Sequence, residues 1–284
     1  MNALVALVVF ACTPEWGALV HELGGERAEV TVATTARQDP HRIEARPSLI
    51  ARARRADLVV CTGAELEVGW LPQVLAQSGN ARVQPGRPGY FEAARHVTLI
   101  EKPASIDRSM GDVHADGNPH LHLDPRNLLK VAEALAARMA VLDPANAAHY
   151  AARHRDFAAR MRASISRWER ESAALKGLRV VVHHKSLSYL AAWLGLVVVA
   201  DLEPKPGIEP TAVHLAQLLD KLKAEPAKMV LRAPYQSPRG GNWIAERSGI
   251  ASVELPFTVG GSARAKDLFS LFDDTLAKLT EAAR

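Results

Sequence analysis

Short apolar runs rich in Val and Leu alternate along this chain with longer runs whose apolar residues recur every three or four positions. A switch between period 2 or continuous apolar runs and period 3.6 leaves few folds open, chiefly a parallel sheet covered by helices. Residues 6–11, 29–33, 58–61 and 97–99 read as strands in the first half. Residues 180–183, 196–200, 229–231 and 252–255 read as strands in the second. Between them, 47–55, 71–76, 125–140, 211–223, 242–248 and 265–283 read as helices. The first strand feeds a helix with Thr13 as N-cap, Pro14 at the first helical position and Gly24-Gly25 as its stop.

One helical run is longer than the rest. Asp143-Pro144 supplies its cap, Tyr150, Phe157, Met161, Ile165, Trp168 and Leu175 recur at helical spacing, and Lys176-Gly177 ends it. At 1.5 Å per residue it would be a rod about 45 Å long, which suits a strut between two lobes. The expected organisation is an N-terminal α/β lobe over residues 1–142, a linking helix over 143–176 and a C-terminal α/β lobe over 177–284.

Composition removes several function classes. The formal charge of +4 comes with no dense Lys/Arg cluster interleaved with aromatics, which argues against nucleic-acid binding. Arg52, Arg54 and Arg55 form the tightest basic group and read as a solvated helix face. No apolar run reaches the roughly 18 residues that span a bilayer. Residues 4–12 resemble the apolar region of a signal peptide, but no basic residue precedes them and a capped helix follows, so they read as a strand. The two cysteines, Cys12 and Cys61, each end an apolar strand. Neighbouring parallel strands would bring them within bridging distance, and two buried free thiols are the alternative.

Three histidine motifs fall where strands meet loops, the usual seat of function on α/β scaffolds. His41 lies in Gln38-Asp39-Pro40-His41, and His120 in Asn118-Pro119-His120-Leu121-His122-Leu123-Asp124-Pro125. His183 and His184 end the run Val180-Val181-Val182. Three neutral imidazoles with an open fourth position are a recognised zinc arrangement. His122 shares the alternation of His120 if that segment is extended. His183 is expected on the opposite strand face from His184, and His114 in a surface loop. His21, His96, His149, His154 and His214 read as surface residues, Trp70 and Trp193 as packing residues, and Trp168 as a contact of the long helix.

In this order and spacing the motifs resemble those of the metal-binding solute-binding proteins of bacterial ABC transporters, the zinc and manganese receptors. The resemblance covers almost the whole chain. Gln38-Asp39-Pro40-His41, then Ala56-Asp57-Leu58-Val59-Val60 with Gly63 and Glu67, match that family's first ligand motif and the segment after it. Asn118-Pro119-His120 through Asp124-Pro125 matches the second, and Asp143-Pro144 to Tyr150 the start of the linking helix. Val182-His183-His184 through Tyr189 matches the third, with His184 on the ligand position, and Gly207-Ile208-Glu209-Pro210 the segment that follows. The resemblance implies two α/β lobes joined by a rigid helix, and a metal held by His41, His120 and His184 in the cleft between them. It implies a monomer in the periplasm that delivers its metal to an ABC permease, with any export signal outside this numbering. An oxidising compartment in turn favours a Cys12–Cys61 bridge.

Departures from the family pattern bear on the metal. Where an acidic fourth ligand is common, this chain has Leu255-Pro256-Phe257, and a second acid is replaced by Ala233-Pro234. The long His/Asp-rich loop of many zinc-specific members is reduced to Asp107, Asp112, His114 and Asp116. Manganese favours oxygen-rich sites, so three histidines without the carboxylates point to Zn²⁺ as the bound cargo. The fourth position is expected to be water, with His122 or a carboxylate such as Glu209 as alternatives. No catalytic turnover is expected. The competing function is a zinc hydrolase or lyase using the same three-histidine water, for which Glu209 or Glu44 would have to act as acid or base.

Overall fold

The computed structural model describes residues 6–105, 111 and 114–284. The chain divides into two compact units. The first comprises Met1–Thr98 and Pro125–Ile165, the second Leu99–Asp124 and Ser166–Arg284.

In the first unit, β1 (Leu7–Ala11), β2 (Ala28–Val32), β3 (Leu58–Cys61) and β4 (Tyr90–Glu92) form a parallel sheet in the order β2-β1-β3-β4. Helices α1 (Pro14–Gly24), α2 (Pro47–Arg55), α3 (Leu71–Ser78) and α4 (Pro125–Leu142) accompany it. β3 is buried at every residue, as the continuous apolar run Leu-Val-Val-Cys requires of a strand covered on both faces. α1 packs so tightly that a Cβ on Gly17 would sit 2.6 Å from a Val32 methyl. Phe10, Val59, Leu49, Ala53, Val74 and Leu75 form the core beneath α2 and α3, each large apolar side chain contributing about 1.5–3 kcal/mol of burial. Cys12 and Cys61 are bridged, with Cα atoms 4.8 Å apart, because the parallel β1–β3 register places their strand ends side by side.

The fourth strand is not the expected one. Residues 97–99 are not in a strand, and Tyr90–Glu92 pairs with Val59–Cys61 instead. The backbone N–H of Val59 donates to Gly89 O at 2.8 Å, which fixes this earlier register, and a tight turn over Ala93–His96 then ends the pairing.

The long helix α5 (Ala147–Glu171) joins the two units and carries their boundary. A 3₁₀ turn over Pro144–Asn146 precedes it and another over Ala173–Leu175 follows. Its early part belongs to the first unit, where the hydroxyl of fully buried Tyr150 donates to Asp143 at 2.7 Å. Its last turns belong to the second, where Trp168 donates to Asp273 at 2.7 Å and packs against Phe272 and Trp193.

In the second unit, β5 (Arg179–Val182), β6 (Val197–Asp201), β7 (Met229–Arg232) and β8 (Ala251–Glu254) repeat the parallel pattern in the order β6-β5-β7-β8. The helices are α6 (Ser188–Leu194), α7 (Ala212–Ala224), α8 (Pro238–Ser248) and α9 (Leu268–Ala283). Leu215, Leu218 and Leu222 of α7 recur at helical spacing and bury against Val181, Val230 and Ile244. α9 begins with a reciprocal capping box between Asp267 and Ser270.

The segment Leu99–Asp124 falls in this second unit, whereas the sequence pattern alone groups it with the first lobe. Hydrogen bonds explain the assignment. The hydroxyl of buried Tyr189 accepts from Ile100 N at 3.2 Å and donates to Asn118 O at 2.8 Å. The Asn118 amide donates to Lys185 O at 2.7 Å. Two histidine motifs therefore share one unit. Asp107 and Asp112 lie outside the described residues.

Candidate metal centre

His41 belongs to the first unit, in the loop after β2. The Asp39 carboxylate accepts both the His41 backbone N–H (3.0 Å) and its ring Nδ1–H (2.7 Å). An ionised carboxylate only accepts, so the proton sits on Nδ1 and Nε2 is the nitrogen that would ligate. The loop itself is pinned by Trp70, 1% exposed, whose indole N–H donates to Pro40 O at 2.9 Å. Trp70 is thus a packing residue that also positions the histidine loop.

His120 repeats the device in the second unit. Asn118 Oδ1 accepts the His120 backbone N–H at 3.0 Å and Nδ1–H at 2.8 Å. The orientation of the amide is settled by its other end, where Nδ2 donates to Glu101 Oε2 at 2.8 Å and to Lys185 O. Asp39-Pro40-His41 and Asn118-Pro119-His120 are therefore one motif used twice: a short polar side chain folding back over a proline onto the residue two positions on. It fixes ring and tautomer together.

His184 follows β5 and is held from further away. Its Nδ1 lies 2.6 Å from Glu203 Oε2, which also accepts the Gly207 N–H at 2.8 Å. Glu203 sits just beyond β6, the strand that pairs with β5, so the sheet register delivers the carboxylate to the histidine. Within the second unit the His120 and His184 rings come together, with centroids 5.4 Å apart and planes at 82°. A cavity of about 550 Å³ opens onto both and onto His114, with Glu101, Asn118 and Lys185 in its wall. The His114 ring lies 6.3 Å from His120, closer to the pair than a surface-loop reading implies.

The remaining candidates sort by geometry. His122 does not share the outlook of His120, because a 3₁₀ turn over Leu121–Leu123 breaks the extended alternation, and its Nε2 meets Phe257 O at 2.9 Å. His183 reaches the same Glu203 as His184, at 3.8 Å from the other carboxylate oxygen, rather than facing away from it. Burial lowers the pKa of His183 and favours the neutral ring. Glu209 is exposed, as is Glu44. Near Pro256, where the resemblance would have an acid, buried Phe257 lays its ring 5.7 Å from His120. His21 and His96 are exposed, while His149, His154 and His214 are half-buried. Sequence reading missed Glu203 as the partner of His184. Its available signal was an acid three residues past the strand expected over 196–200.

Two parallel α/β units, a long joining helix and histidines held through Nδ1 can be compared with known proteins. The zinc-binding lipoprotein AdcA of Streptococcus pneumoniae is 22% identical over 238 residues, covering 82% of this chain and 46% of the relative. The high-affinity zinc uptake system protein ZnuA of Bacillus subtilis is 22% identical over 243 residues, covering 84% and 74%. The chain thus spans about half the length of the first of these relatives. A crystal structure of a ZnuA superposes with a TM-score of 0.81 at 24% identity, covering 98% of this chain and all of the other. The family model for the periplasmic zinc-uptake complex component A matches residues 9–282, and the chain belongs to that family.

Proposed function

We propose that this protein is a soluble receptor that captures a divalent transition metal, zinc, and hands it to an ABC permease for import. The ligands in this reading are Nε2 of His41, His120 and His184, with water in the fourth position. One observation carries the reading. Each of the three rings has its Nδ1 at 2.6–2.8 Å from an oxygen of its own unit, Asp39, Asn118 or Glu203. That outer-shell bond is what metal-ligating histidines almost always have, and it makes the ring a better donor. Neutral imidazoles without carboxylates favour zinc over manganese.

A receptor of this kind works in the periplasm, as a monomer, and needs no general acid or base. The apolar ring of Phe257 beside His120 suits capture better than turnover. A zinc hydrolase would need a positioned acid or base, and the exposure of Glu44 and Glu209 gives neither a place. Competition with a chromophoric chelator tests the reading. His41→Ala, His120→Ala and His184→Ala should each weaken zinc affinity by orders of magnitude, while His96→Ala leaves it unchanged. Equal losses at all four positions would sink the assignment, and zinc-dependent esterase or CO₂-hydration turnover would favour the enzyme.

A further inference from the structure

A second group of metal-capable side chains lies in the first unit and owes nothing to the histidines. Sγ of Cys12, Sγ of Cys61 and a carboxylate oxygen of Glu67 lie within 4.8 Å of one another. The cysteines are fully buried and Glu67 is 3% exposed. Tetrahedral zinc, with bonds of about 2.3 Å to sulfur and about 2.0–2.2 Å to oxygen, keeps its donors roughly 3.3–3.8 Å apart. Two thiols can take up that spacing, which two bonded sulfurs cannot.

The carboxylate is placed at some cost. Its two oxygens accept the backbone N–H groups of Thr62 (2.8 Å) and Gly63 (3.0 Å), directly after Cys61. The turn that presents them runs through three successive residues of positive φ, Gly63, Ala64 and Glu65. Left-handed backbone at a residue with a Cβ costs about 1–2 kcal/mol, and such strain gathers at functional positions. Trp16 closes the other side, its indole N–H donating to Thr62 Oγ1 at 2.8 Å. A cavity of about 320 Å³ reaches Gly63 and Glu67 from the surface past Glu65 and Glu92. Three carboxylates, Glu65, Glu67 and Glu92, line it, which favours a cation there. Burial pushes the Glu67 carboxyl up to about 7, and a bound cation would reverse that penalty.

We propose that in its dithiol form the chain holds a second, soft divalent metal through Cys12, Cys61 and Glu67. Breaking the Cys12–Cys61 bond takes two electrons from a thiol or phosphine reductant and two protons, from the reducing thiols or, with a phosphine, from the water whose oxygen ends on phosphorus, and yields two thiols. The newly made chain, before oxidation, already has them. Binding M²⁺ then forms two metal–sulfur bonds and one metal–oxygen bond to Glu67, and releases the two thiol protons and any proton on the Glu67 carboxyl, with no further electron transfer. The bridge and the metal exclude each other. Oxidation therefore closes this site and leaves the histidine centre as it was.

The test is a Cd²⁺ titration of the full chain, bridged and separately produced and kept as the dithiol under a phosphine reductant. The readout is the ultraviolet thiolate-to-cadmium charge-transfer band, which histidine ligation does not give. We expect the band in the dithiol protein, with saturation at one Cd²⁺ per chain more than the bridged protein binds, and none in the bridged protein. Glu67→Gln should keep the band but need roughly tenfold or more free Cd²⁺ to half-saturate it. Glu67→Asp, which withdraws the carboxylate by one methylene, reports the same if the Gln variant does not fold. No band with both thiols counted as free would overturn the proposal, as would loss of native circular dichroism in the dithiol form. An unchanged midpoint in the folded Glu67 variant would overturn the three-donor site.

Discussion

Asn118→Ala separates the support of a ligand from the ligand itself. The side chain makes four hydrogen bonds: it accepts twice from His120 (3.0 and 2.8 Å) and donates to Glu101 (2.8 Å) and Lys185 O (2.7 Å). At about 1 kcal/mol net each, their loss should destabilise the protein by roughly 2–4 kcal/mol. Releasing Nδ1 of His120 also frees the ring and its tautomer, which should weaken zinc binding about 10–100-fold. Asn118→Asp is the control. It keeps an acceptor for the Nδ1–H but loses both donors and faces Glu101, so stability should fall while zinc affinity stays within a few-fold. Urea denaturation of the metal-free protein gives the first quantity, and chelator competition the second. If Asn118→Ala loses stability with unchanged zinc affinity, or if both variants lose affinity equally, the ring-holding role is refuted.

Glu67 predicts a pH dependence. Its folded pKa of about 7 lies above the ordinary 4.5, so the native state binds the extra proton between those values. The contribution is fully present below 4.5 and is lost as pH rises to about 7, at most about 3 kcal/mol. Glu67→Gln should flatten that decline relative to the natural chain, and parallel profiles of unfolding free energy would contradict it. Replacing both cysteines by serine should cost about 4 kcal/mol under oxidising conditions, from the 49-residue separation that the bridge closes. Equal denaturation midpoints for variant and natural chain would refute this. Trp70→Phe removes the bond to Pro40 O and should cost about 1 kcal/mol plus a measurable loss of zinc affinity. An affinity identical to the natural chain would show that Trp70 only packs.

The sequence was legible where its physics is local. Strands β1 and β3 announce themselves by Val and Leu runs, and α1, α4 and α7 by caps and apolar spacing. Strand β4 was hidden because Tyr90–Glu92 is three residues long, follows a Gly/Pro-rich stretch and owes its pairing to a register with β3. Val97-Thr98-Leu99 has better strand chemistry but lies past the turn that ends the sheet. The same division applies to the site. The oxygens that hold His41 and His120 sit two residues before them and can be read from Asp-Pro-His and Asn-Pro-His. Glu203 lies 19 residues from His184 and becomes its partner only once β5 and β6 pair. For the same reason the membership of Leu99–Asp124 in the second unit, which rests on Tyr189 and Lys185, could not be read from the segment itself.

The most direct test of the account is the zinc stoichiometry of the purified, bridged protein, with melting before and after chelation. One zinc per chain is predicted, with stabilisation of about 4 kcal/mol at a thousandfold excess over the dissociation constant, both lost in His184→Ala. A bridged protein that takes up no zinc and melts at the same temperature with or without it would contradict the histidine receptor outright.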